Sequence, residues 1–150
     1  MSVVDVNALV LKLVEVATAA LSGDVQVLDG RDYSAEVEKH AVLVGHAGNP
    51  STPVVEVLRS VTDGGIDASL FDVAVRGTVA VWDGEEEFAS KRAAAQSTIA
   101  ALNAAVEANV RLDGLAMEAF MSPEMAWFQV ADTEGNSVEV DFTITARVFA

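Results

Sequence analysis

The chain has no cysteine, three prolines and two histidines, and it sets only nine Lys and Arg residues against twenty-three Asp and Glu. Each shortage excludes something. Without cysteine there is no disulfide framework, no thiolate metal ligand and no cysteine nucleophile, a usage that fits a reducing compartment. The basic residues are scattered, with no cluster larger than Lys91–Arg92, and the net charge is −14. Gripping nucleic acid by its backbone requires Lys and Arg to displace counterions, so a sequence-independent nucleic-acid binder is excluded.

The two histidines, His40 and His46, fall on a predicted strand and the loop after it, with no third ligand identifiable. They read as two unrelated histidines, not a metal site. No G-x-S-x-G elbow occurs, and GHAGNPST lacks the Gly-Lys pair of a phosphate-binding loop. Carboxylates are abundant, but no nucleophile, base and orienting group can be named together. The expectation is a protein that is not an enzyme, with no catalytic residue, no metal and no cofactor. Trp82 and Trp127 lack the basic groove that a base-stacking platform needs, and read as strand-end anchors. Long hydrophobic runs are missing too. VVDVNALVLKLVEVATAAL is broken by Asp5, Lys12 and Glu15, so neither a signal peptide nor a membrane span is expected, and the chain reads as soluble and intracellular.

What is present is apolar and aliphatic: 51% of the 150 residues are hydrophobic but only 6% aromatic. A domain of this size buries about 68–70% of its unfolded surface, here mainly with Val, Ala and Leu. Val6, Leu9, Val10, Leu13, Ala17, Ala20 and Leu21 recur at helical spacing, closed by Ser22–Gly23. DVQVLDG reads as a short strand ending in an Asp-Gly turn, GRDYSAEVEK as a loop or single helical turn, and AVLVG as a strand followed by the loop HAGNPSTP. Val54 to Val61 is a β-branched strand, and TDGGIDAS reads as a projecting loop instead of a tight hairpin turn.

From Leu70 to Trp82 the period is two: Phe71, Val73, Val75, Val79 and Val81 face one way, Asp72, Ala74, Arg76, Thr78 and Trp82 the other. Asp83 and Glu86 then have capping-box spacing, placing Glu85, Glu86 and Glu87 in the first turn of a helix. Phe88, Ala95, Ile99, Leu102, Val106 and Val110 form its stripe. Glu87–Lys91 and Glu107–Arg111 are i,i+4 pairs, and Asp113–Gly114 ends the helix. After a linking segment, AWFQVA is a strand, DTEGNS a turn and SVEVDFTITARVF the final strand. The expected fold is a single α+β domain over residues 1–150, a mainly antiparallel sheet with two amphipathic helices packed on one face.

The order of these parts resembles a known family. An opening helix leads to VLDG, a polar loop and VLVGHAGNP; a long strand ends VAVWDGEEEFASKRAAAQSTIAALNAAVEANVRLDG; and a last hairpin ends VEVDFTITARVFA. This resembles the tail terminator proteins of long-tailed (siphovirus-type) bacteriophages, especially those infecting actinobacteria, over essentially the whole chain. It departs from them in lacking the proline that often follows the Asp-Gly turn.

The resemblance implies a structural virion protein at the head-proximal end of the tail, assembled in the host cytoplasm. Such a protein forms a homo-oligomeric ring, typically a hexamer, that caps the tail tube, stops its polymerisation and offers its other side to the head–tail connector or completion protein. Its partners would be its own copies, the major tail tube protein and that connector. DNA would pass through the acidic lumen without specific binding, and no membrane is involved. Under this reading Asp72, Arg76, Glu139, Asp141 and Arg147 are candidates for subunit contacts, against the plainer alternative of a solvated sheet face. The stretch Asp63, Gly64, Gly65, Ile66 and Asp67 is the candidate tube-docking loop, against a plain hairpin tip. The competing readings are another head–tail joining or tail ring component, a cellular adaptor or ligand-binding domain, and an enzyme.

Overall fold

A computed structural model describes residues 3–31, 39–62, 65–82, 87–132 and 135–150. The two alternating stretches of the sequence become its two longest strands, β4 (Gly65–Val81) and β7 (Gly135–Phe149). They pair antiparallel from Leu70↔Phe149 to Val81↔Val138 without a register shift. Because successive side chains alternate between faces, this ladder stacks Val73, Val75, Val79 and Val81 beside Val138, Val140, Ile144, Ala146 and Val148 on one face, and all are buried.

Two helices cover that face. α1 (Val6–Ala20) starts where the Asp5 carboxylate accepts the Ala8 amide at 2.9 Å, and it buries Leu9, Leu13, Val16 and Ala17. α2 (Phe88–Ala108) buries Ala95, Ile99, Leu102 and Val106. The domain is therefore α+β with a mixed, mostly antiparallel sheet, as the sequence pattern implied.

Each flank of the central pair carries two strands placed end to end. β2 (His40–Val44) and β3 (Val55–Thr62) share the outer edge of β4, and β1 (Gln26–Asp29) lies parallel to β2 beyond it. β5 (Glu118–Met121) and β6 (Ala126–Asp132) share the outer edge of β7. The joints fall at the same level. The Arg76 carbonyl accepts the amides of Gly45 and His46 while its own N–H reaches Val54, and the carbonyl of its partner Thr143 accepts the Ser122 amide.

Several expectations are corrected. The segment after β3 is not a projecting loop: Val61 pairs with Ile66 and Thr62 with Gly65, so Gly65, Ile66 and Asp67 belong to β4. Only Asp63 and Gly64 separate the strands, and they lie outside the described residues. β-Branched Val61, Thr62 and Ile66 favour extended backbone up to an Asp-Gly dipeptide, the composition of a two-residue hairpin connection.

α2 begins at Phe88 with no acidic residue in its first turn, and Glu87 is its N-cap with no side-chain capping bond. Asp83, Glu85 and Glu86 lie outside the described residues, as does most of the polar stretch after Gly30. The helix also stops at Ala108, which leaves Arg111 beyond its end and Val110 exposed. Glu107 accepts from Asn103 instead, at 3.4 Å. The linking segment contains a strand, β5, that the sequence reading passed over.

Gly77 marks a close approach. It stands on the helix-facing side of β4, where the alternation calls for another valine, opposite Phe142. A Cβ there would run into the Phe142 ring and come within 2.8 Å of the Leu43 carbonyl oxygen. The aromatic ring thus fills the space above a bare backbone. Gly77→Ala is expected to lower stability by about 1–3 kcal/mol, the usual range for overpacking, read as a shift in the urea midpoint at unchanged slope.

His40 points to the helix side and bonds through Nε2 to Thr98 Oγ1 at 2.8 Å. Burial pushes this histidine below its ordinary pKa of 6.5, because the charged ring loses its water. A depressed folded value means that the unfolded chain binds more protons just below pH 6.5. Stability is thus full above that pH and falls as the pH drops through the depressed value. Urea melts at about pH 7.5 and about pH 5.5 check this: His40→Gln should lose less stability between the two than the unaltered chain.

Candidate functional site: the open face of the sheet

Facing away from the helices, β4 presents Asp72, Ala74, Arg76, Thr78 and Ala80, directly opposite Arg147, Thr145, Thr143, Asp141 and Glu139 of β7. All five subunit-contact candidates therefore lie on one surface. Four of them are already engaged within the chain.

Arg147 Nε donates to Asp72 Oδ1 at 3.1 Å, and its Nη1 lies 3.9 Å from Glu118 Oε2. The bond to Asp72, and the charges of Asp72 and Glu118, raise the guanidinium above its ordinary pKa. Arg76 Nη1 donates to Glu56 Oε1 at 2.8 Å and to the Pro53 carbonyl at 2.6 Å, tying β4 to the start of β3. Asp141 accepts the Thr78 hydroxyl at 2.8 Å. Glu139 is exposed and has no side-chain partner among the described residues.

Thr78 is almost fully buried, and its hydroxyl also lies 3.0 Å from His46 Nδ1. A hydroxyl has one proton, and here it goes to Asp141. The contact to His46 is therefore made by Nδ1–H donating to Thr78 Oγ1. The same count fixes His40: Thr98 gives its proton to the Ala94 carbonyl at 3.0 Å, so His40 Nε2 must be the donor. The two histidines thus donate from opposite ring nitrogens for local reasons. Neither stands beside a nucleophile, and among the described residues no cluster of three His, Asp or Glu is placed to hold a metal ion.

Beyond Gly45 the chain leaves the sheet and crosses the open face, so that Gly48 comes against Asp141. It walls two shallow clefts. One, of about 220 Å³, has His46, Thr78, Trp82 and Glu139 in its lining. The other, of about 360 Å³, lies over the joint at Arg76 and Thr143.

The residues that sequence reasoning missed are apolar. Leu58 of β3 shares this face with Asp72; Phe120 of β5 shares it with Thr145; Phe128 and Val130 of β6 share it with Glu139 and Ser137. All are exposed, Leu58 at 61% and Phe128 at 48%. A signal was present in AWFQVAD, where large apolar residues fall on both parities of a strand, as they do when both faces are meant to be covered.

The candidate docking segment sits at one end. Gly65 to Ser69 run past the last residue of β7; Gly65 and Ile66 pair with β3, and the Ala150 amide reaches the Ser69 carbonyl. Five residues at about 3.3 Å each give a two-stranded ribbon extending roughly 15–17 Å beyond the sheet. At the opposite end, Gly135 to Ser137 pair only with β6, making a shorter ribbon.

The proton count on Thr78 is testable. Nitrogen NMR of the imidazoles should find the His46 proton on Nδ1 and the His40 proton on Nε2 at neutral pH. Thr78→Val should release the His46 tautomer and cost about 1–3 kcal/mol, since Asp141 loses a buried donor.

No model of a known protein family matches the chain, and no curated protein matches it either.

Proposed function

We propose that this chain is a ring-forming structural protein of a long-tailed phage, a tail terminator that caps the tail tube and receives the head connector. The observation that carries the reading is the distribution of groups on the open face. Its central charges are satisfied inside the subunit, while large apolar side chains stand exposed along both margins. Large apolar side chains left exposed on a sheet face point to a contact surface.

Two further features agree with it. Ribbons extend from opposite ends of the sheet, as a part placed between a tube and a connector would require. A net charge of −14 suits a lumen through which DNA slides, because like charge disfavours phosphate contact. Among the described residues no helix is long and apolar enough to cross a membrane. The subunit contacts proposed from sequence now shift in emphasis: Asp72, Arg76, Asp141 and Arg147 brace the face, and Glu139 stands free to meet a neighbour.

Deleting the gene from the phage is the direct test. Overlong tails that never join heads are expected. Tails of normal length with unjoined heads would instead indicate another head–tail joining component. In purified protein, replacing Asp63 and Asp67 together by Lys should weaken binding to the tube protein at least tenfold with an unchanged circular dichroism spectrum. Undiminished binding would remove the β3–β4 ribbon from the docking role.

A further inference from the structure

Resting on the ring reading above, we infer that neighbouring copies join by strand pairing, β3 of one against β5 of the next, so that one antiparallel sheet continues from copy to copy. Across the Arg76–Thr143 joint, on the side nearer the chain's end, the strand order is β3–β4–β7–β5, each antiparallel to its neighbour. Four alternating strands leave two margins that run in opposite directions. Copies related by rotation about one axis keep the same orientation to it, so β5 of one copy meets β3 of the next antiparallel without either turning over.

The margins also lie level. Val55 to Leu58 pair with β4 residues Val75 to Asp72, and Glu118 to Met121 pair with the β7 residues opposite those same positions. Each outer edge is flanked by exposed apolar side chains, Val57 and Leu58 on β3, Met117 and Phe120 at β5.

The two margins carry opposite loose charge. Arg59 on β3 is exposed and makes no ion pair among the described residues, a rare loose cation in a chain of net charge −14. At the other margin Glu118 is exposed and only distantly held by Arg147, and in the level register it lies one position from Arg59, on the other face of the sheet. Edges paired in this way are also removed from solvent, which ends their liability to open-ended aggregation.

The cysteine-free chain makes the test clean. Leu58→Cys and Phe120→Cys are introduced singly and together, and assembled protein is treated with a short bismaleimide. The double variant should give a ladder of covalent oligomers on a denaturing gel, at least tenfold more than either single variant. Leu58→Lys with Phe120→Lys should weaken assembly at least tenfold while leaving the melting curve in place, because both side chains are exposed. A covalent dimer from Leu58→Cys alone would mean a two-fold β3–β3 contact and overturn the inference. Rings seen by electron microscopy without a ladder would overturn the strand pairing alone. A chain that stays monomeric at every concentration and with the tube protein present would overturn both.

Discussion

The rest of the structure depends on the unbroken ladder between β4 and β7. Antiparallel pairing from Leu70 to Val81 fixes which side chain faces which, and a slip of one residue would exchange the two faces. Held in this register, one face becomes a continuous valine-rich surface that must be covered, and α1 and α2 cover it. Gly77 and Phe142 show how tightly the ladder is specified, since a ring from one strand occupies the place of a missing side chain on the other. The same register lines up the joints at Arg76 and Thr143, so the flanking strands divide at one level on both sides.

That division gives the open face its character. Where β2, β4 and β7 meet, the segment after Gly45 crosses the open face, and Ala41, Leu43, Thr78 and Ala80 on that face are buried. In the other half nothing described crosses, and the face is held by Arg76–Glu56 and Arg147–Asp72. Scarce cations have been spent at the centre, where each ties two strands together. Exposed pairs of this kind contribute little to stability. Their larger consequence is that the polar centre asks nothing of a neighbour, and the apolar margins carry whatever attraction the face has.

Much of this was legible in sequence, and what was not has a physical reason. The β4 and β7 strands, α1 and the core stripe of α2 followed from local period, because each buries one regular face, and β2 from its unbroken apolar run, which is buried on both faces. Glycine at position 77 interrupts the valine alternation at the very place where the sheet needs space. Strand β5 was missed because EAFM is too short for a period to emerge, and pairing with Ile144 to Arg147 makes it a strand. The first turn of α2 was misplaced because capping signals were read from a run of acids with no knowledge of where the chain leaves β4. Least legible were the charge pairs: Asp72 and Arg147 are 75 residues apart, and only the register brings them together. Read singly, they looked available for contacts; paired, they are occupied.

The acidity of the chain then bears on when copies can meet. Each copy carries −14, so two approaching copies repel, and the repulsion is screened over about 8 Å at physiological salt. Apolar margins act only at contact. Long-range repulsion with short-range attraction keeps isolated copies apart until something holds one of them in place. On the proposed reading, the end of a completed tube supplies that hold through the projecting ribbon. Once two copies are seated side by side, their margins meet at the high effective concentration of a shared support, and no new affinity is required. A neutral version of the same surface would lack that restraint and could associate before any tube was finished. On that reading, strong like charge and exposed apolar margins, each a hazard alone, would together tie assembly to the presence of a template.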